Sequence, residues 1–375
     1  MNIVRHELRK IILSPALAGF VLVCLLFNIA LVFSSRCEFS NYIAQVSHTT
    51  GYVLGPEFDQ RVADLERGEH SAFLRLHTEG FVDVFDGYTT GYIAEAYIAM
   101  HELTGMAARL MRAKYARLQG SVDALYESGA GMTLYFAGVT YNRHTQLFRV
   151  VMSALLVQGI LLGAMIMLLS LGHEYNAKTE GVVYATKTGR RIVTAKLIAG
   201  LAAALVAYAL LAIVTLMVHF GLNPMGGTWG SSVSSGFNYI WEIFGTRPFV
   251  TWWEFTIRGY LAASIGVSVG LGICFGLMAY IVGLWVRNSY IGFLIIVAAN
   301  AGIVAYTFHF NVWMLNYQLT LTPMWLVLQQ GMWFTDGGSN VVWPYFETIG
   351  LGASLALLAL TGVLSTVRFK RRNLL

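Results

Sequence analysis

The chain has 375 residues, of which 56% are hydrophobic and only 12% charged. A water-facing domain carries about twice that charged fraction, and a mean hydropathy of +0.60 also excludes an ordinary soluble enzyme. The net charge of +5 would suit nucleic acid. The basic residues, however, gather at the ends of long apolar blocks, which is how membrane topology is written, so the bilayer is the expected partner and nucleic acid is not.

In chain order, residues 1–14 set Ile3, Val4, Leu8, Ile11 and Ile12 against Arg5, Glu7, Arg9 and Lys10. That is either an amphipathic helix for a membrane surface or the basic flank of a first span. The first apolar block, 12–34, is too long for a signal-peptide core and is read as a retained span. The stretch 36–146 is the one sizeable polar region. It mixes apolar residues at helical spacing with charges over 58–79 and 93–127, between glycine-rich breaks near Gly51, Gly87 and Gly129. Five further blocks follow at 148–172, 193–219, 258–286, 289–308 and 346–367, none with Lys, Arg, Asp or Glu in its central part. About 20 apolar residues cross the hydrocarbon, and backbone in lipid must bond to itself. The expected fold is therefore all-α with six transmembrane helices.

Three regions follow from this: 1–35, the interfacial helix and first span; 36–146, a helical extracytoplasmic domain; and 147–375, spans two to six. Arg5, Arg9 and Lys10, then Lys178, Lys187, Arg190, Arg191 and Lys196, then Arg287, and finally Arg368, Lys370, Arg371 and Arg372 fall on one side, which is read as cytoplasmic. The opposite segment 309–345 has no Lys or Arg, and 220–257 has only Arg247. Eight of the nine tryptophans lie in or beside these two segments, which suggests that both rest at the membrane–water interface. Cys24 and Cys274 sit in apolar blocks and Cys37 stands alone, so no disulfide framework is expected.

The loop 173–192 carries the functional signal. Glu174 closes span two, and a short amphipathic run from Thr179 through Glu180 and Gly181 to Tyr184 follows Lys178. Lys187, Gly189, Arg190 and Arg191 come next, and Lys196 opens span three. A short helix held between two spans by fixed charges is a handle on which a soluble partner could push. The arrangement resembles the membrane subunits of type-2 ABC exporters. In those, an acidic residue ends span two, a Thr/Gly-containing coupling helix and a small-Arg pair follow, and a Lys enters span three. Here these positions are Glu174, Thr179–Gly181, Gly189–Arg190 and Lys196. The resemblance also implies a membrane-dipping segment between spans five and six, for which Leu319 to Phe334 is the candidate.

The resemblance further implies a plasma (inner) membrane location and two cytoplasmic ABC ATPase subunits per complex. It implies a second permease subunit, identical or related, and ATP and Mg on the ATPase chains with no cofactor on this one. The chain itself would be a transport subunit and not an enzyme. The long polar region after span one departs from the many members with a short loop there, and favours a peptide, antibiotic-like or amphipathic small-molecule cargo. The alternatives are an ion-driven transporter or channel, or a sensor using 36–146. Mid-span ionisable residues, which ion-driven carriers usually need, are missing from the sequence.

Other motif-like strings carry less. Gly181 to Thr188 approaches a phosphate loop but has Thr186 where the second glycine belongs. Gly266-Val-Ser268-Val-Gly270 matches a nucleophile elbow but lies inside span four, where Gly266, Gly270, Gly272 and Gly276 fit close helix packing. His101-Glu102 and His6-Glu7 lack the second histidine of a zinc site.

Overall fold

The computed structural model describes residues 2–34, 38–135, 143–185, 189–242, 245–310 and 312–371. The chain starts with α1 (Asn2–Ile12), and Pro15 opens α2 (Pro15–Phe33), using the fixed φ that suits a first helical turn. Then come α3 (Glu38–Thr50), α4 (Pro56–Ala63), α5 (Glu69–Thr78), α6 (Gly91–Met100) and α7 (Gly105–Glu127). A π-helical stretch, Thr145–Val151, leads into α8 (Met152–Asn176), followed by the short α9 (Glu180–Ala185) and the long α10 (Ile192–Leu222). An antiparallel hairpin joins β1 (Tyr239–Glu242) to β2 (Gly245–Pro248), with Tyr239 opposite Pro248. The chain ends with α11 (Ile257–Trp285), α12 (Ser289–His309), α13 (Trp313–Leu319), α14 (Pro323–Leu328) and α15 (Phe346–Arg371).

Among the described residues six helical stretches are long and apolar enough to cross a membrane. They are Pro15–Phe33, Thr145–Asn176, Gly189–Leu222, Ile257–Trp285, Ser289–His309 and Phe346–Arg371. The protein is an all-α multi-pass membrane protein, and the spans fall on the six apolar blocks of the sequence. The second span is the axis of the bundle: 67% of its apolar window is buried inside the protein, against 17% for the fifth and sixth. Glycine makes this possible. A Cβ on Gly163 of α8 would fall 2.5 Å from the carbonyl oxygen of Gly272 on α11, and one on Gly276 would touch Gly163. The two backbones therefore meet with nothing between them, as small residues allow in lipid.

A polar knot joins three spans. Asn28 Nδ2 donates to Gln158 Oε1 and to Thr215 Oγ1, each at 2.9 Å, and Gln158 Nε2 donates back to Asn28 Oδ1 at 2.6 Å. All three side chains are buried, and they satisfy one another where water is absent.

The three long connections, 38–135, 223–256 and 312–345, assemble into one head at the end of the bundle away from the basic loops. Its core combines Phe85, Tyr97, Met111, Tyr115 and Leu118 with Val250 and Trp252 and with Tyr317 and Val342. Segments that share a core lie on the same side, so the spans between them cross alternately. A charge cluster locks the head. Lys114 Nζ donates to the carbonyls of Asp336, Gly338 and Val341 at 3.2, 2.7 and 2.8 Å. Arg247 bonds Asp336 and Glu242 at 2.7 Å each. Tyr115 donates to Asp336, and Tyr97 donates to Glu242 at 2.5 Å.

The head thus draws on more chain than the polar stretch 36–146, because Lys114, buried within that stretch, finds its partners in the 336–341 loop. The same packing takes Trp252, Trp325 and Trp333 into the protein interior, so these three rings serve the core.

Burial alone would raise the Asp336 carboxyl, but Arg247 and Lys114 outweigh it and hold it at about 2. Burial lowers the Lys114 ammonium to about 8. Asp336→Ala leaves two buried cations without their carboxylate and is expected to destabilise the head by about 3–5 kcal/mol, read as faster amide exchange in α7. In the parent, the Asp336 contribution is complete above the ordinary carboxyl value of 3.8 and is lost as pH falls from there through about 2. Protection of the α7 amides, taken relative to the intrinsic exchange rate at each pH, should fall over that window.

Candidate functional site

The ten residues singled out in and around 173–192 divide by position. Glu174 lies in the last turn of α8 and Lys196 in the first turns of α10, and both are buried. Lys196 Nζ donates to the Glu174 carboxylate and to the Ser170 carbonyl. Glu174 also faces Lys10 of α1, with Nζ to Oε1 at 3.2 Å, and Lys10 is 3.8 Å from Glu7. Three chain segments are therefore pinned at one carboxylate. Such a pair is strongly destabilised when one partner goes, since a buried charge is left uncompensated.

Lys10 joins this brace because one face of α1 is packed against the bundle. Its face bearing Val4, Leu8 and Ile11 packs into the main core, and Glu7 is only 3% exposed. A cleft of about 170 Å³ remains beside it, lined by Glu7, Lys10, Ser14, Met165, Ser170 and His173.

Beyond Glu174 the chain turns sharply. Lys178 is exposed and takes a left-handed φ of 55°. Thr179 N donates to Glu174 O, and Val183 N donates to Thr179 O, which starts α9. Thr179 and Gly181 are exposed, Glu180 is half-buried, and Val182 is 73% exposed. An apolar side chain is thus held out to solvent on a short helix whose base is the buried brace. Lys187 lies outside the described residues. Gly189 has a φ of 50°, a conformation that favours glycine. Arg190 donates to the carbonyls of Phe369 and Lys370 at 3.3 and 3.2 Å. Lys370 in turn donates to Thr194 at 3.1 Å. Arg191 is exposed.

The nine described positions fall into two groups. Glu174, Lys196, Gly189 and Arg190 hold the frame, while Lys178, Thr179, Gly181 and Arg191 stand exposed at its surface, with Glu180 half-buried on α9. Sequence reasoning missed Lys10 and the carbonyl end of α15. Basic residues on the same side were the available signal, but spacing along the chain does not show which of them meet. The turn after α11 closes the same end, with the Arg287 guanidinium 5.6 Å from the Tyr175 ring centre. No metal-binding group of His, Cys, Asp or Glu occurs among the described residues.

No protein-family model matches the chain, and neither the curated proteins nor the solved structures give a match. The class defined by fold and site is a six-span membrane protein with a composite head and a braced basic loop.

Glu174→Ala is expected to lower stability by about 3–5 kcal/mol, because Lys196 is then buried without its carboxylate. Glu174→Leu combined with Lys196→Met should recover most of that loss. A double-mutant cycle on the detergent-solubilised chain measures it, and additive losses would show that the two residues do not act as a pair.

Proposed function

We propose that this chain is the membrane subunit of an ATP-driven exporter. The observation that carries the reading is the braced loop. α9 projects from a base in which Glu174, Lys196 and Lys10 tie α8, α10 and α1 together. Force applied to α9 would reach α8 through the turn at Lys178, and the Glu174–Lys196 pair would carry it to α10. α8 is the buried axis of the bundle, so its displacement would reach the helices packed on it.

The excess of Lys and Arg at this end supports a cytoplasmic position for it, where an ATPase subunit would find α9. Exposed Val182 on α9, with Lys178 and Arg191 exposed before and after that helix in the chain, suits a partner groove with an apolar floor and acidic rim. The membrane would be the plasma (inner) membrane, with both termini cytoplasmic and the head outside. Two ATPase subunits with ATP and Mg, and a second permease, would complete the machine. The buried amides of the Asn28–Gln158–Thr215 knot bond one another and offer no ionisable group for an ion-coupled cycle. A peptide or amphipathic small molecule suits a transporter whose head is large and composite.

A sensor reading has one observation in its favour, the interlocked head. Ligand binding by the whole protein with no flux and no ATPase partner would select it.

The exporter reading predicts that gentle purification from the native membrane retains a soluble ATPase at one copy per chain. Val182→Asp together with Arg191→Glu should release that ATPase while membrane insertion and thermal stability stay at parental values, since both side chains point outward. Purification without any ATPase would remove the reading.

A further inference from the structure

A pocket of about 490 Å³ opens where the head meets the last turn of α12, bounded by the end of α6 and by α13 and α14. Its size is that of a small-molecule site. The walls include His101, Glu102, Phe308, Trp313, Asn316 and Trp325. The rings come in pairs, with His101 and Trp313 at 5.0 Å and Phe308 and Trp325 at 5.7 Å between centroids. Among the described residues neither Lys nor Arg lines the pocket, and Glu102 is the charged side chain that does.

Glu102 holds an unusual position. His101 caps α6, and Glu102 follows in the left-handed region with a φ of 50°. Leu103 N donates back to Ile98 O at 2.9 Å, which closes the turn. Glycine is the usual residue at such a helix end, and a glutamate there carries backbone strain. Strain of this kind gathers at functional sites. Two further wall residues, Asn316 and Trp325, are 8% and 5% exposed, yet Asn316 Oδ1 and Trp325 Nε1 have no hydrogen-bond partner. Burial lowers the His101 pKa, so the imidazole sets no positive charge against an incoming cation at neutral pH.

We propose that this pocket binds the ammonium end of an amphipathic amine, a primary or quaternary ammonium on an apolar chain. A carboxylate beside aromatic faces is the chemistry that selects such a cation, and Phe308 and Trp325 give the apolar chain a wall to lie on. The amine comes either from solution or from an ammonium lipid headgroup. This binding does not depend on the exporter reading.

The test uses the full-length chain in nanodiscs of phosphatidylglycerol with radiolabelled decyltrimethylammonium as probe. Saturable binding is expected, displaced by decylamine and not by decanoate or decyl maltoside. Glu102→Gln and Glu102→Gly should each weaken it about tenfold. Glu102→Gly also relieves the left-handed strain, so this variant should melt no lower than the parent, which separates lost binding from lost fold. Trp313→Ala should act in the same direction. Nanodiscs of phosphatidylcholine are then compared with nanodiscs of an uncharged glycolipid that has no amine, so that surface potential is matched; weaker apparent binding in phosphatidylcholine assigns the site to lipid headgroups, and equal binding assigns it to a soluble amine. Non-saturable uptake, equal displacement by decanoate, or full binding in both Glu102 variants would overturn the proposal.

Discussion

A charge buried at the edge of a helix bundle has to be neutralised where it stands, and Glu174 and Lys196 neutralise each other. That one contact fixes the end of α8 against the start of α10, and Lys10 brings α1 to the same point. The remaining geometry of the basic end follows. α9 has a rigid base, Arg190 reaches the last carbonyls of α15, and the bundle closes around the glycine contact between α8 and α11. An apolar pair at 174 and 196 could pack as well, but it would not require this particular register of two helices.

The opposite end obeys the same rule at larger scale. Lys114 and Arg247 are buried beside Asp336, and each belongs to a different connection between spans. The head cannot be divided along the chain without exposing or orphaning a charge. It is a single structure laid over the ends of the spans, continuous with α11, α12 and α15. A bundle braced at one end and capped by an interlocked head at the other is suited to transmit displacement along its length. In the exporter reading, the push enters at α9 and the head receives it.

The sequence states the spans plainly. Twenty apolar residues in a row leave a backbone in lipid no option but the helix, and all six appear where the apolar blocks lie. Glu174 and Lys196 were also legible, since each stands at a span boundary where a charge is conspicuous. The head was not. Its hairpin, β1–β2, is two four-residue strands that carry no alternating apolar pattern, and Lys114 meets Asp336 across 222 residues. Periodicity reports which face of an element is buried but not what buries it. Tryptophan alone does not separate two settings. An amphipathic ring suits a membrane interface and a polar-edged interior equally well, and Trp252 donates its N–H to the Thr335 carbonyl deep in the head. Glu102 passed as half of a failed zinc motif, because only the backbone conformation reveals that it replaces a glycine.

The central claim is that the loop between α8 and α10 moves under the action of an ATPase. Spin labels at Ala177 and Tyr290, both exposed and both outside the proposed ATPase contact, in a chain with Cys24, Cys37 and Cys274 replaced, report the distance from the base of α9 to the first turn of α12. The measurement is made on the complex isolated with its partners, before and after adding ATP and Mg with vanadate to trap turnover. The account predicts a shifted distance distribution on trapping, abolished when Glu174→Leu and Lys196→Met loosen the brace. An identical distribution in both conditions, from a complex that hydrolyses ATP, would contradict it.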